Sequence, residues 1–300
     1  MATATNVSPP ASSALPRRRS PVLQFIANQP LGVAGFLIIL LYIACALGAT
    51  WIAPYDPEAI DFAAMLTGPS SEHWFGTDQY GRDVFSRIVY GARTALAVGI
   101  VSAILGCTVG AVIGATSGYF GGRIDTVIQR FVDVMLSFPI IVLAMVVVTV
   151  LGKRSMFGID FNLIAAIALP IIPKMARVAR SSALSIVAMP FIDAARAAGF
   201  SHTRIVLRHI LPNIVAPYLI MVTAFIAQAI LLEASLSFLG LGVTEPTPAW
   251  GLMLSGTSAD FYQTAPWMIL FPGLAITFAV FAFNLFGDSL RDWLDPRLKG

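Results

Sequence analysis

The chain has 300 residues, 57% of them hydrophobic and 12% charged, with a formal net charge of +3. A soluble domain carries roughly 25% charged residues, so this composition excludes a water-clothed globule and predicts an integral membrane protein. The apolar runs are long and continuous rather than short and alternating, which excludes a membrane barrel and predicts helical spans.

In chain order, residues 1–30 are rich in Ser, Ala and Pro, carry Arg17, Arg18 and Arg19, and read as a disordered cytoplasmic tail. Residues 31–54 hold an apolar run longer than the roughly 7–15 residues of a signal-peptide core, which predicts a retained first transmembrane anchor helix. Residues 55–93 form a polar extracytoplasmic segment. At its end, "GRDVFSRIVYGAR" puts Val84, Phe85, Ile88 and Val89 on one helical face and predicts a short amphipathic helix on the membrane surface. Asp78 and Asp83 flank Gly81 without the ligand series of a calcium loop and read as a capped turn.

Residues 94–288 contain five further spans, and residues 289–300 form a cytoplasmic tail. The second span is uncharged from Thr94 to Gly122, and its Gly106, Gly110, Gly114 and Gly118 fall four apart. That stripe predicts a helix face bare enough for another backbone to pack closely. A polar link over Gly121–Asp133 precedes the third span, Val134–Gly152. The fourth starts at Phe161 and reaches spanning length only by running past Lys174 and Arg177, whose long side chains are expected to snorkel to the interface. The fifth starts near Ile214, and the sixth runs from about Pro266 to Gly287. Lys and Arg concentrate in the alternate segments that include both tails, which predicts an N-in, C-in topology. Lys153 and Arg154 run against that bias.

The cytoplasmic segment 185–213 contains "DAARAAGFSHTRIVLRHILPN", Asp193 to Asn213. Pro190 suits a helix start, and Asp193 suits its positive dipole end. Ala194, Ala195, Ala197 and Ala198 leave that helix almost without bulk. Gly199 can take the left-handed conformation that ends it. Ser201 can cap a second helix that carries Ile205, Leu207, Ile210 and Leu211 on an apolar side. Arg204 and Arg208 are i, i+4 neighbours, and Pro212 is expected to stop the helix. Ala195, Gly199 and Ile205 also meet the spacing of a DNA-reading helix-turn-helix. Flanking spans would crowd a duplex against headgroups, so a membrane-anchored DNA-binding regulator is disfavoured and no nucleic-acid partner is expected.

"DAARAAG" followed by "ILPN" resembles the EAA loop of ABC-importer permeases, with Asp193 in the place of the first Glu. The stretches "FGTDQYGRDVFSRIVYGART", "EASLSFLGLGV", "PTPAWGLML" and "FNLFGDSLRDWLDPRL" are similar to the dipeptide, oligopeptide and nickel branch of that family, and to its second, six-span permease chain. The resemblance implies an all-α integral membrane protein with six transmembrane helices and a type I importer (MetI-like) permease core in the inner membrane of a prokaryote. It implies that Asp193, Ala194, Ala195, Ala198, Gly199, Ser201, Arg204 and Pro212 belong to a coupling loop that docks on a cytoplasmic ATPase. It further implies a second permease subunit, two ATPase subunits and an extracytoplasmic binding protein as partners. The implied cargo is a di- or oligopeptide, with nickel, glutathione or another small solute as alternatives within the branch.

No GxxxxGK[ST] phosphate loop occurs in the chain, so ATP and Mg are expected on partner subunits, and neither an enzyme activity nor a cofactor of its own is expected. His73, His202 and His209 are scattered, and Cys45 and Cys107 have no metal spacing, so no metal or catalytic site is expected. Glu233 is placed near the outer mouth of the fifth span, in a capping or pairing role or in contact with cargo. A self-contained channel or secondary carrier is the reading of a different class. It lacks support from charged span centres or an inverted repeat.

Overall fold

A computed structural model describes residues 21–152, 155–156, 159–256 and 260–294. Arg17–Arg19, Lys153, Arg154, Arg297 and Lys299, which enter the charge bias, lie outside the described residues, as do most of the N-terminal tail and the end of the C-terminal one.

The helices are α1 (Pro21–Asn28), α2 (Pro30–Leu47), α3 (Ala49–Ile52), α4 (Val84–Phe120), α5 (Gly122–Leu136), α6 (Ile140–Leu151), α7 (Phe161–Ala168), α8 (Ile171–Val187), α9 (Pro190–Ala197), α10 (His202–Ile205), α11 (Val215–Phe238), α12 (Trp250–Met253) and α13 (Trp267–Leu294). A two-residue antiparallel ladder pairs Ser155–Met156 with Ile159–Asp160. Among the described residues, four helical runs are long and apolar enough to cross a membrane: α2, α4, residues 202–238 and α13. Two bent pairs, α5 with α6 at 93° and α7 with α8 at 44°, bring the total to six if each is one span.

Helix α4 is the structural centre. The face carrying Gly106, Gly110, Gly114 and Gly118 lies on α7 and α8. A Cβ at Gly114 would stand 2.1 Å from the Ala176 carbonyl oxygen, and one at Gly110 would stand 2.5 Å from that of Ile172. Only glycine permits this approach, because real Cβ contacts do not fall below about 3 Å. Met175, Ala176, Ala179 and Ala183 of α8 are buried against the same face.

Three sequence-based expectations change. The short surface helix expected before Arg93 is not a separate element, since α4 runs unbroken over 37 residues. Asp83 starts it by accepting from the Ser86 N–H at 2.8 Å. Val84 and Val89 face the protein core rather than lipid, and the Trp250 indole N–H donates to the Ile88 carbonyl at 2.9 Å. The third span is not a straight run from Val134. The link over 121–133 is itself helical, and the chain turns at Ser137–Pro139 because proline supplies no N–H to continue α5. Helix α6 is then roughly 18 Å long at 1.5 Å per residue, short of a ~30 Å core.

Lys174 does not snorkel away from its neighbours. Its ammonium donates to Gln228 Oε1 of α11 at 3.3 Å, because α8 turns this side chain toward the adjacent span. Arg177 pairs with Asp133, and Arg180 pairs with Asp125 at 2.5 Å, so the two cations farther along α8 are tied to α5.

Candidate docking loop and outer cap

Helix α9 starts at Pro190, whose missing N–H costs nothing in the first turn. Asp193 is exposed and accepts from Arg196 at 3.1 Å. The helix closes in a Schellman arrangement: the Gly199 N–H reaches the Arg196 carbonyl at 3.0 Å, and the Phe200 N–H reaches that of Ala195 at 3.2 Å. Gly199 has φ +75°, and nothing stands within 4 Å of a Cβ there, so the backbone angle alone demands glycine. Ser201 then caps α10, its Oγ accepting from the Arg204 N–H at 3.3 Å. The Arg204 guanidinium lies 3.9 Å from the Phe200 ring centre, a stacking contact that braces the turn.

The alanines do not form one bare face. Ala195 is 6% exposed and packs inward beside the fully buried Ile192. Three residues apart, the two share one side of the helix. Ala195, expected among the docking residues, is thus buried on the inner side of the loop, while Ala194, Ala197 and Ala198 are exposed. Leu207, expected on the apolar side, is 52% exposed, as Phe191 and Met189 are at 40% and 44%. Sequence reasoning missed these three; the alternation of Phe191 with the buried Ile192 was the available signal.

Pro212 does not end the second helix. Residues 206–210 widen into a π turn, with the Leu211 N–H reaching the Val206 carbonyl, and residues 211–214 tighten into a 3-10 turn that runs into α11. The wide turn makes room for the proline ring. The Asn213 amide donates to the His209 carbonyl at 2.6 Å, supplying the loop with a partner that the regular ladder does not.

This loop is fastened to the end of α4. The Tyr119 hydroxyl and His202 Nδ1 are 2.7 Å apart, and the Arg196 guanidinium lies 5.3 Å from the Tyr119 ring centre. The glycine stripe of α4 thus leads from α7 and α8 to an aromatic anchor under the loop. Nothing in the sequence paired Tyr119 with His202, which are 83 residues apart.

At the other end of α4 lies a cap of buried charge. Arg82 reaches Asp78 at 2.6 Å and Glu245 at 2.6 Å. Arg87, 1% exposed, donates to the Pro57 carbonyl at 2.9 Å. Burial by itself would pull the Arg82 guanidinium down, but the hydrogen bonds and charges of Glu245 and Asp78 outweigh it and raise it above its ordinary range. A cavity of about 290 Å³ opens among Asp78, Arg82, Arg87 and Glu245. The turn at Asp78 is capped by its own side chain, which accepts from the Tyr80 N–H at 2.8 Å and the Arg82 N–H at 3.0 Å.

Glu233, one and a half turns before the end of α11, is 1% exposed. The Ser237 hydroxyl donates to it at 2.7 Å and in turn accepts from the Val243 N–H at 3.1 Å. The carboxyl therefore anchors the return of the chain after α11. Among the described residues, no group of three or more His, Cys, Asp or Glu side chains is placed to hold a metal ion.

The profile of the family described as "Binding-protein-dependent transport system inner membrane component" matches residues 106–300. That of the "N-terminal TM domain of oligopeptide transport permease C" matches residues 23–69. The chain is 46% identical over 274 residues to the glutathione transport system permease protein GsiD of Escherichia coli O6:K15:H31 (strain 536 / UPEC), covering 91% of this chain and 88% of the relative. It is 42% identical over 274 residues to the dipeptide transport system permease protein DppC of Alkalihalophilus pseudofirmus (strain ATCC BAA-2126 / JCM 17055 / OF4), with the same coverage. A chain of the inward-facing MetNI methionine ABC transporter aligns at a TM-score of 0.53 and 18% identity, covering 70% of this chain and 98% of that one, a likeness of fold.

Proposed function

The chain belongs to the binding-protein-dependent transport system inner membrane components, and from that premise we propose that it forms half of the path by which an ATP-driven importer takes up small peptides. Its relatives are named as glutathione and dipeptide permeases, which supports a cargo of di- or oligopeptides, glutathione included. The N- and C-termini face the cytoplasm. A second permease completes the path, two ATPase subunits bind ATP and Mg, and an extracytoplasmic protein delivers cargo.

The observation that carries this reading is the loop over residues 189–208. Its inward side is packed by Ile192, Ala195 and Ile205, while its outward side combines Ala194, Ala198, Phe191 and Leu207 with Arg204 and Arg208. An apolar, small-residue knob rimmed by cations is suited to seat in a groove of another protein. The loop is held rigid by its own caps and joined to α4 through Tyr119 and His202. Closure of an ATPase pair would displace the knob, and α4 and α8, locked along the glycine stripe, would move as one body. Glu233 keeps the outer return of α11 in place during that motion.

The reading is tested by purifying the tagged chain from its own membranes in mild detergent and identifying every co-purifying chain. A second permease together with phosphate-loop ATPases is the expected result. A chain that purifies folded and alone, and transports without ATP, would establish a self-contained carrier instead.

A further inference from the structure

Lys174 has a placement that the permease reading leaves unused. Counted from Phe161 at the start of the bent pair of α7 and α8, it lies about 20 Å along the span at 1.5 Å per residue. Its partner Gln228 lies about 15 Å from Phe238, the end of α11, on the same measure. Both sit well inside a ~30 Å hydrocarbon core. A lysine at the helix centre costs roughly 2.5–3.5 kcal/mol to insert, so such residues face protein or water rather than lipid.

Among the described residues Lys174 has no carboxylate partner. Its contacts are the Gln228 oxygen at 3.3 Å and the Phe225 ring, whose centre is 6.0 Å away. An ammonium has three donors, so donors remain open. Lys174 and Gln228 are both partly exposed, and Ser181 and Ser185 are exposed farther along α8. Other uncovered faces differ. That of α2 carries Leu37, Leu40 and Leu41, and that of α6 carries Val142, Val146 and Val150. On α8 and α11 Leu184 and Leu231 are exposed beside these polar groups, and what distinguishes this face is an ammonium and an amide held together within a span.

We infer that Lys174, oriented by Gln228, is a carboxylate-binding position within the translocation path and engages a carboxylate of peptide-class cargo partway across the membrane. The inference rests on the permease reading. The ammonium supplies a charge-assisted hydrogen bond, and the Gln228 amide NH2, whose oxygen already accepts from Lys174, supplies a second donor. A single point charge with one amide favours a weak, releasable hold, as a path requires.

The test uses the transporter purified with its native partner chains, treated with the water-soluble acetylating reagent sulfo-N-hydroxysuccinimide acetate, with acetylation at Lys174 followed by peptide mass spectrometry. Lys174 is expected to react. Millimolar dialanine should slow that reaction about fivefold or more, the protection given by a ligand held several times above its dissociation constant, while dialaninamide, which lacks the carboxylate, leaves it unchanged. In reconstituted vesicles, Lys174→Met should raise the KM for peptide uptake about tenfold while Lys174→Arg raises it less than about threefold. A Lys174 that resists acetylation is covered by a neighbouring subunit or lipid, and that result overturns the inference. Equal protection by both probes, or by neither, overturns it as well. A chain that purifies without ATPases removes the permease reading itself and this inference with it, a failure distinguishable from the others because it appears before any probe is added.

Discussion

The two ends of α4 solve opposite problems. At the N-terminal end, Arg82, Arg87, Asp78 and Glu245 close on one another and on backbone carbonyls, so these four charges are paired from within the chain. At the C-terminal end, the loop satisfies its own backbone through caps and leaves its side chains outward, with Phe191 and Leu207 exposed beside Arg204 and Arg208. The contrast separates a region paired within the chain from one whose exposed side chains suit the proposed docking. A charge buried beside its partner is costly to leave unpaired, whereas an exposed apolar knob gains by association.

Six substitutions break or sharpen that contrast. The largest effect is expected between the two ends, at the glycine stripe. Gly114→Leu drives a side chain into the Ala176 carbonyl, and overpacking of this kind costs about 1–3 kcal/mol or more. Loss of folded protein from the membrane fraction, or a sharply lowered Tm in detergent, checks it. Arg82→Met should follow. It leaves Asp78 buried without its nearest cation, and because Glu245 is 46% exposed and can turn to water, the expected cost is about 1–3 kcal/mol, below that of a fully buried pair. The same detergent melts measure it, and ATP turnover by the assembled transporter should be intact at temperatures where the protein stays folded.

In the loop, two alanine substitutions must separate. Ala195→Arg inserts a charge into the buried side and should lower stability, while Ala198→Arg should leave the stability within about 0.5 kcal/mol of wild type, as surface changes do, yet abolish uptake. Equal melting of the two variants would remove the distinction between the inward and outward alanines. Gly199→Val forces a β-branched residue to positive φ, at about 1–3 kcal/mol, and should weaken the response of ATP turnover to loaded binding protein. The smallest effect is expected at Asn213→Ala, which removes one hydrogen bond to the His209 carbonyl, worth about 1 kcal/mol. Hydrogen exchange across residues 206–214 would register it where a global melt would not.

Much of the loop was legible before any coordinates. Asp193, Gly199 and Ser201 occupy the positions that helix-end chemistry assigns them, because capping depends on residues within a few positions of one another. The inward turn of Ala195 was not legible, since alanine carries no polarity with which to mark a face. Pro212 misled for a related reason: a proline ordinarily ends a helix, but a π turn before it and the Asn213 amide after it let the chain continue. The charge cluster was hidden by distance, Arg82 and Glu245 being 163 residues apart.

By itself, the sequence determined the membrane class, the helical spans, the glycine stripe and the backbone signals of the loop, because hydropathy, periodicity and capping are properties of neighbouring residues. The tertiary structure alone decided what the stripe packs against, which alanines remain open, how Tyr119 fastens the loop to α4, and that Lys174 meets Gln228 inside a span. Each of these depends on contacts between residues far apart in the chain, which only the packing of the helices brings together.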